Sequence, residues 1–322
     1  MSRKHDFVLA AAQAAPIFFD RDASLEKAVR AVENAAAQGA DVVAFGESWL
    51  PGYPFFIDAP LNDAWWEAAA DYAANCIDIP GPETDALCAA AKAGGIDVVI
   101  GVGERHPLTQ GTLFCTLLFI GREGVILGRH RKIKPTHHER SIWGDGDADG
   151  LVTHARDYGR LSGLNCWEHN VVLPGYALIA QGAQVHVAAW PGREPDQTPT
   201  DPVWARQVLL SRAFASQAGA YVIAAAGLRL HAHVPEKYRS IAPFEHNGRS
   251  CIIDPRGEII AGPLDGEGLL LARGDHAQIR RAKVACDAAG HYARADLFSF
   301  SVNQRVLFGQ PTTAAPSGLP QG

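Results

Sequence analysis

The feature that most narrows the folds open to this chain is an internal repeat. Ala37-Gln38-Gly39-Ala40-Asp41-Val42 closes a helical pattern and opens an apolar run, and Ala180-Gln181-Gly182-Ala183-Gln184-Val185 does the same in the second half. The first run, Asp41 to Phe45, reads as a strand buried on both faces, and its counterpart leads into Val187-Ala188-Ala189-Trp190-Pro191. Each half also carries a hairpin, turning at Gly121-Arg122-Glu123-Gly124 in one and at Asp254-Pro255-Arg256-Gly257 in the other. A strand–helix–strand unit repeated with its hairpin predicts two similar halves. Two such halves bury their apolar surface by packing sheet against sheet, with helices outside.

The intervening elements follow from periodicity and punctuation. A first strand covers 7–14, and Asp22-Ala23-Ser24 offers an N-cap for a helix over 25–38 that stops at Gly39. Helices are expected at 62–75 and 83–93, a strand at 97–103, and a hairpin from 114–120 and 125–129. Further on, a strand ends at Cys166, and helices follow over 171–182, once past Pro174-Gly175, and over 202–218. The basic run Arg129 to Lys134 is expected to form a shaped loop, because Ile133 interrupts it and Pro135 ends it. No low-complexity linker separates the halves, so residues 1–308 are expected to form a single domain, with 309–322 a Gly/Pro-rich mobile tail.

Composition excludes several functions. The chain has 322 residues, 47% of them hydrophobic, which is ample for a large core, and its 29 basic and 35 acidic side chains leave a net charge of -6. That balance favours neither nucleic acid nor an anionic membrane surface. Phe7 to Ala12 is cut by Gln13 and reads as a strand rather than a signal core, and no other apolar run approaches membrane-spanning length. Six scattered cysteines without a CxxC pair fit reduced thiols in a cytoplasmic protein.

The strand ends carry the chemistry. Cysteine is most often a small buried hydrophobe. Cys166, however, sits among Asn165, Glu168 and His169, which places it at a polar rim where a helix start and backbone N–H groups favour a thiolate and an oxyanion. Glu47 ends the strand Asp41 to Phe45 and precedes Trp49-Leu50-Pro51, so partial burial is expected to raise its carboxyl towards neutrality. A carboxyl of that kind can take the proton of a thiol and later return it. Lys132 supplies a fixed positive charge for an oxyanion. Cys76, Cys88, Cys115, Cys251 and Cys286 lie in apolar stretches and read as core thiols. His231-Ala232-His233 and His137-His138 have paired spacing, but the sequence places no third ligand, so no metal site is assigned.

Three blocks make the reading specific. Phe45-Gly46-Glu47-Ser48-Trp49-Leu50-Pro51-Gly52-Tyr53-Pro54, His130-Arg131-Lys132-Ile133-Lys134-Pro135-Thr136-His137-His138-Glu139-Arg140 and Asn165-Cys166-Trp167-Glu168-His169 resemble the three catalytic blocks of the nitrilase superfamily, in its order Glu, Lys, Cys. Segments at 187–191 and 291–296 resemble later parts of the nitrilase branch, so the likeness covers about residues 6–305. It implies an α/β fold of the four-layer α-β-β-α sandwich type. It also implies Cys166 as nucleophile, Glu47 as general base and then acid, Lys132 as stabiliser of the tetrahedral intermediate, and Glu139 as a second glutamate that positions substrate or the lysine. The N–H of Trp167 is expected to face the oxyanion or its nitrogen equivalent. Tyr53, Trp167, His169 and Trp190 are the expected substrate-binding residues, with Phe55 and Phe56 adding aromatic surface, and Ile57-Asp58-Ala59-Pro60 departs from the more aromatic family pattern there.

The implied activity is hydrolysis of an organic nitrile to the carboxylic acid and ammonia, with water as co-substrate and no metal or organic cofactor. The same three residues serve amidases and N-carbamoyl amide hydrolases, which form the alternative. A cyanide dihydratase and a non-catalytic binding module rank below these. Homo-oligomerisation, as a dimer or larger, is implied by the resemblance alone.

Overall fold

The computed structural model describes residues 6–192, 206–242 and 244–303. In chain order its first half contains β1 (Asp6–Gln13), α1 (Arg21–Ala37), β2 (Val42–Ala44), α2 (Asp63–Asn75), α3 (Pro82–Gly94), β3 (Asp97–Arg105), β4 (Leu113–Gly121) and β5 (Val125–Arg131). The second half follows with β6 (His154–Arg156), β7 (Gly159–Asn165), α4 (Val172–Ala180), β8 (Val185–Trp190), α5 (Arg206–Ala218) and β9 (Tyr221–Ala226). It continues through β10 (Leu228–Arg229), β11 (His246–Asn247), β12 (Cys251–Ile253), β13 (Ile259–Ala261), β14 (Gly268–Asp275) and α6 (His276–Ala285).

The repeat is visible in the sheet orders. One six-stranded sheet runs β14-β1-β2-β3-β4-β5 and the other β13-β12-β9-β8-β7-β6. Read from opposite ends, each has an antiparallel edge strand, three parallel strands and an antiparallel hairpin. Between the sheets lie Leu9, Val42, Ala44, Val99, Leu117 and Phe119 from one and Leu161, Val185, Val187, Tyr221, Ile223 and Ile252 from the other. The outer face of the first sheet packs on α1 and α3 through Ala28, Val32, Leu87 and Ala91. That of the second sheet packs on α5 through Phe214 and Ala215, and on α4 through Leu178. These are the four layers of an α-β-β-α sandwich. Sheets covered on both faces explain why the strands read as continuous apolar runs.

Four expectations need correction. Helix α1 starts a turn earlier than expected: Asp20 is its N-cap, accepting from the Ala23 N–H, while Ser24 is buried and its hydroxyl bonds the backbone of Ile17. Strand β5 runs on past Arg129 through His130 and Arg131, where a loop was expected, because Glu104 on β3 accepts from both arginines, at 2.7 Å from Arg129 and 2.9 Å from Arg131. Helix α4 begins before Pro174, which is tolerated in a first turn where its missing N–H has no partner to lose. Of the cysteines expected in the core, Cys286 is exposed and Cys88 half-buried. The sequence reading also missed β14 and α6. The start of the expected helix at Pro202 and the tail 309–322 lie outside the described residues.

Candidate active site

The expected site residues converge where the C-terminal ends of parallel strands meet, the position at which α/β sheets commonly bind ligands. Glu47 follows β2, Lys132 follows β5 and Cys166 follows β7. Glu47 reaches the second sheet because Gly46 lets the backbones touch: a Cβ there would lie 2.5 Å from the nitrogen of Gly227 and 2.8 Å from the carbonyl oxygen of Trp190. The Glu47 N–H then donates to that Trp190 carbonyl at 3.0 Å. Cys166 opens a single 3-10 turn, 166–170, with φ +46, in the left-handed region that non-glycine residues avoid. Such strain recurs at functional sites, where the surrounding structure enforces it.

The enforcement comes from Glu168, a residue to which the sequence reading gave no role. Its buried carboxylate accepts from the Asn165 N–H at 2.8 Å and the Ile133 N–H at 2.9 Å, and lies 3.0 Å from His130 Nε2. It therefore ties the strand end before Cys166 to the loop after Lys132. Burial alone raises its pKa, but His130 and the two N–H donors more than offset this and hold it below the usual carboxylate value. The Asn165-x-x-Glu168 spacing is that of a capping box, a signal by which the sequence could have revealed it. Thr136-x-x-Glu139 repeats the device, with the Thr136 N–H donating to Glu139 at 2.6 Å.

At the centre, the ammonium of Lys132 donates to Glu47 Oε1 at 2.7 Å and to Glu139 Oε2 at 2.6 Å, and all three side chains are buried. The Cys166 sulfur and one oxygen of each carboxylate lie within 4.8 Å of one another. Three such groups are also a metal-ligand set, yet the ammonium already occupies the place of the cation between the carboxylates. Tyr53 donates its hydroxyl to Glu139 at 2.8 Å, and the Cys115 thiol contacts Glu47 Oε1 at 3.6 Å. Glu47 Oε2 has no hydrogen-bond partner among the described residues, so one carboxyl oxygen is open to receive a proton.

The electrostatics assign protonation states. Burial pushes Glu47 up to about 7 against the opposing pull of Lys132. Burial pushes Lys132 down, but Glu139 and Glu47 together take it well above the ordinary lysine value, so it stays charged. Burial, reinforced by Glu47, drives the Cys166 thiol well above its usual range, despite Lys132 and the Trp167 N–H. The resting sulfur is thus a thiol, and it needs a base within reach.

His169 and Trp190 are not among the residues lining the cleft at Cys166. His169 Nδ1 donates to the Cys166 carbonyl at 2.7 Å, its Nε2 lies 3.0 Å from His186 Nε2, and His186 Nδ1 lies 2.9 Å from the Ser162 hydroxyl. One polarity satisfies this row: Ser162 donates to His186, His186 to His169, and His169 to Cys166, with both imidazoles neutral. Trp190 is buried, stacks on His169 and donates its indole N–H to Ser211 at 3.1 Å. Phe55 and Phe56 belong to a separate aromatic core with Trp65 and Tyr72. Tyr53, Ile57, Asp58, Glu139, Trp167 and Pro191 do line the cleft at Cys166. The paired histidines go separate ways: His138 pairs with Asp58, His231 bonds the Ala242 carbonyl, and His233 that of Pro16.

The neutral imidazoles predict a pH dependence of stability. Burial lowers His169 to about 4 and His186 well below its ordinary value. Below about pH 6.5 the unfolded chain takes up protons that the folded chain refuses, so stability is lost as pH falls. His169 alone accounts for roughly 3 kcal/mol over that window. Glu47, raised to about 7, works in the opposite sense, gaining stability between that pH and the ordinary carboxylate range. Two histidines outweigh one carboxyl, so the urea midpoint should be lower at pH 4.5 than at pH 7.5. An equal or higher midpoint at pH 4.5 would show that the pair is not neutral.

Fold and site together define the class. The chain belongs to the carbon-nitrogen hydrolase family, which it matches over residues 8–284. Within that family it is a member of the nitrilase branch. It is 50% identical over 309 residues to Nitrilase 2 from an unknown prokaryotic organism, covering 94% of this chain and 96% of that one. It is 36% identical to an aliphatic nitrilase of Rhodococcus rhodochrous, covering 93% of this chain and 83% of the relative. Among solved structures, Nit3 of Saccharomyces cerevisiae, a member of branch 10 of the nitrilase superfamily, aligns with a TM-score of 0.69 at 20% identity, covering 91% of this chain and 99% of that chain. At that identity the likeness concerns the fold.

Proposed function

We propose that this protein is a nitrilase, hydrolysing an organic nitrile to its carboxylic acid and ammonia through covalent intermediates on Cys166. The observation that carries the reading is the buried cluster of Cys166, Glu47 and Glu139 around the Lys132 ammonium. The relatives named as nitrilases, at 50% and 36% identity over more than nine-tenths of the chain, favour nitriles over the amidase alternative.

In this reading Glu47 takes the thiol proton through its open oxygen, and the sulfur attacks the nitrile carbon. The proton passes to nitrogen, giving a thioimidate. Water then adds with Glu47 as base, the tetrahedral centre expels ammonia, and a thioester remains. A second water releases the acid and restores the thiol, so two waters are consumed for each acid and ammonia. Lys132, held by Glu139, and the Trp167 N–H stabilise charge developing at each tetrahedral stage. A base near pKa 7 suits both directions of proton transfer at neutral pH. The single domain 1–308, a cytoplasmic location and a homo-oligomeric state belong to the same proposal. The scattered free cysteines support the location, and exposed Leu209 on α5 and Val284 on α6 support the oligomer. No helix among the described residues is long and apolar enough to cross a membrane.

The test is a panel of propionitrile, benzonitrile, phenylacetonitrile and the matching amides, with ammonia and acid measured together. Acid and ammonia in equal amounts from nitriles, with amides at least tenfold slower, are expected. Turnover of amides alone would move the chain to the amidase alternative.

A further inference from the structure

Two cavities share one wall at this site. The cavity against Cys166 has a volume of about 100 Å³. A second, of about 240 Å³, lies between the loop 133–140 and residues 167–174. Thr136, His137 and Trp167 line both. The wall is an aromatic pair: the His137 ring meets Trp167 edge-on, with centroids 5.3 Å apart and planes at 63°. His137 has φ +43, a strained backbone like those of Ser48 and Cys166 at the same site. Left-handed backbone is unfavourable for a residue with a side chain, and such strain clusters at ligand clamps. The second cavity is lined by Ile133, Pro135, Val171 and Pro174 and by the polar side chains Lys134, Arg140, Glu168 and Asn170.

Size decides what each cavity can hold. An apolar cavity of roughly 150 Å³ is known to accommodate benzene. The cavity at the thiol is smaller than that and takes a nitrile group with its first carbons, but not an aryl ring as well. The adjoining cavity is larger and most of its exposed wall is apolar, which suits a hydrocarbon substituent.

Resting on the nitrilase reading, we infer that the second cavity is a subsite for the substituent of the nitrile, entered past the His137–Trp167 wall. The substrates it selects are extended nitriles with an apolar far end, arylaliphatic ones foremost. The reacting carbon sits at Cys166, the chain passes the wall, and the ring rests on Val171 and Pro174.

The test compares 3-phenylpropionitrile with propionitrile. Val171 is more than half exposed, so Val171→Trp fills the second cavity without forcing the core. It should lower the ratio of kcat/KM for 3-phenylpropionitrile to that for propionitrile at least tenfold. His137→Gly removes half of the wall and relieves the strained φ, and should raise the same ratio severalfold. A ratio unmoved by both variants, or a wild-type protein that hydrolyses propionitrile but not 3-phenylpropionitrile, would overturn the inference and leave the nitrilase reading standing. A protein active on neither nitrile would fail at the earlier reading instead.

Discussion

Lys132→Met should lose both activity and stability, with turnover falling at least about 10³-fold and the folded state weakened by about 3–5 kcal/mol. Lys132 is fully buried between Glu47 and Glu139, with contacts of 2.7 and 2.6 Å. Methionine fills similar space but leaves two carboxylates facing each other without a cation. Like charges that close cannot both ionise, so one takes up a proton and Glu47 is no longer a free base at neutral pH. The cost is that of breaking a buried pair by removing one partner, which exceeds the worth of the pair itself. Adding Glu139→Gln to Lys132→Met removes one of the stranded charges, so the double variant should regain part of the lost stability and none of the lost turnover. Urea unfolding and ammonia release on the wild type and both variants check this. A Lys132→Met protein as stable as wild type would show that the ammonium does not compensate the carboxylates.

Much of this site is legible in the sequence because its residues end strands. A carboxylate after Val42-Val43-Ala44-Phe45, and a cysteine after a short apolar strand but flanked by Asn165 and Glu168, stand out against apolar runs. The Gln-Gly repeats announce the two halves, since each marks a helix end followed by a buried strand. What stays hidden depends on partners far away in the chain. Strand β14 pairs with β1 across the whole domain, Asp6 opposite Asp275, and no local pattern records that pairing. The end of β5 reads as a shaped loop until Glu104, on a different strand, is seen to bind its two arginines.

The same logic explains the misplaced side chains. Glu168 looks like a rim residue, yet His130 and two backbone donors let it be buried at 4% exposure. Trp190 and His169 are near Cys166 along the chain or in the fold, but proximity does not say whether they line the cleft. That is set by the row of hydrogen bonds running back to Ser162, which needs His186 from β8 to complete it. The pKa of the thiol is a further case. Its neighbours in sequence are polar, but burial and Glu47 dominate, so the sulfur rests protonated and the proposed mechanism needs Glu47 as its base.

The proposed mechanism makes Cys166 the nucleophile, so its removal is the most direct trial. Ammonia release from 3-phenylpropionitrile and propionitrile should be followed for wild type, Cys166→Ala and Cys286→Ala, the last an exposed thiol remote from the cluster. Losing a covalent nucleophile removes the whole reaction path rather than one contact, so Cys166→Ala should fall by at least about 10⁴-fold. Alanine adds no bulk beside the strained turn, so far-UV circular dichroism and the thermal midpoint should match wild type to within a few degrees. Cys286→Ala should turn over as wild type does. Loss confined to Cys166→Ala in a folded protein is the outcome expected here. Ammonia release that survives in Cys166→Ala would contradict the mechanism, whatever the other variants show.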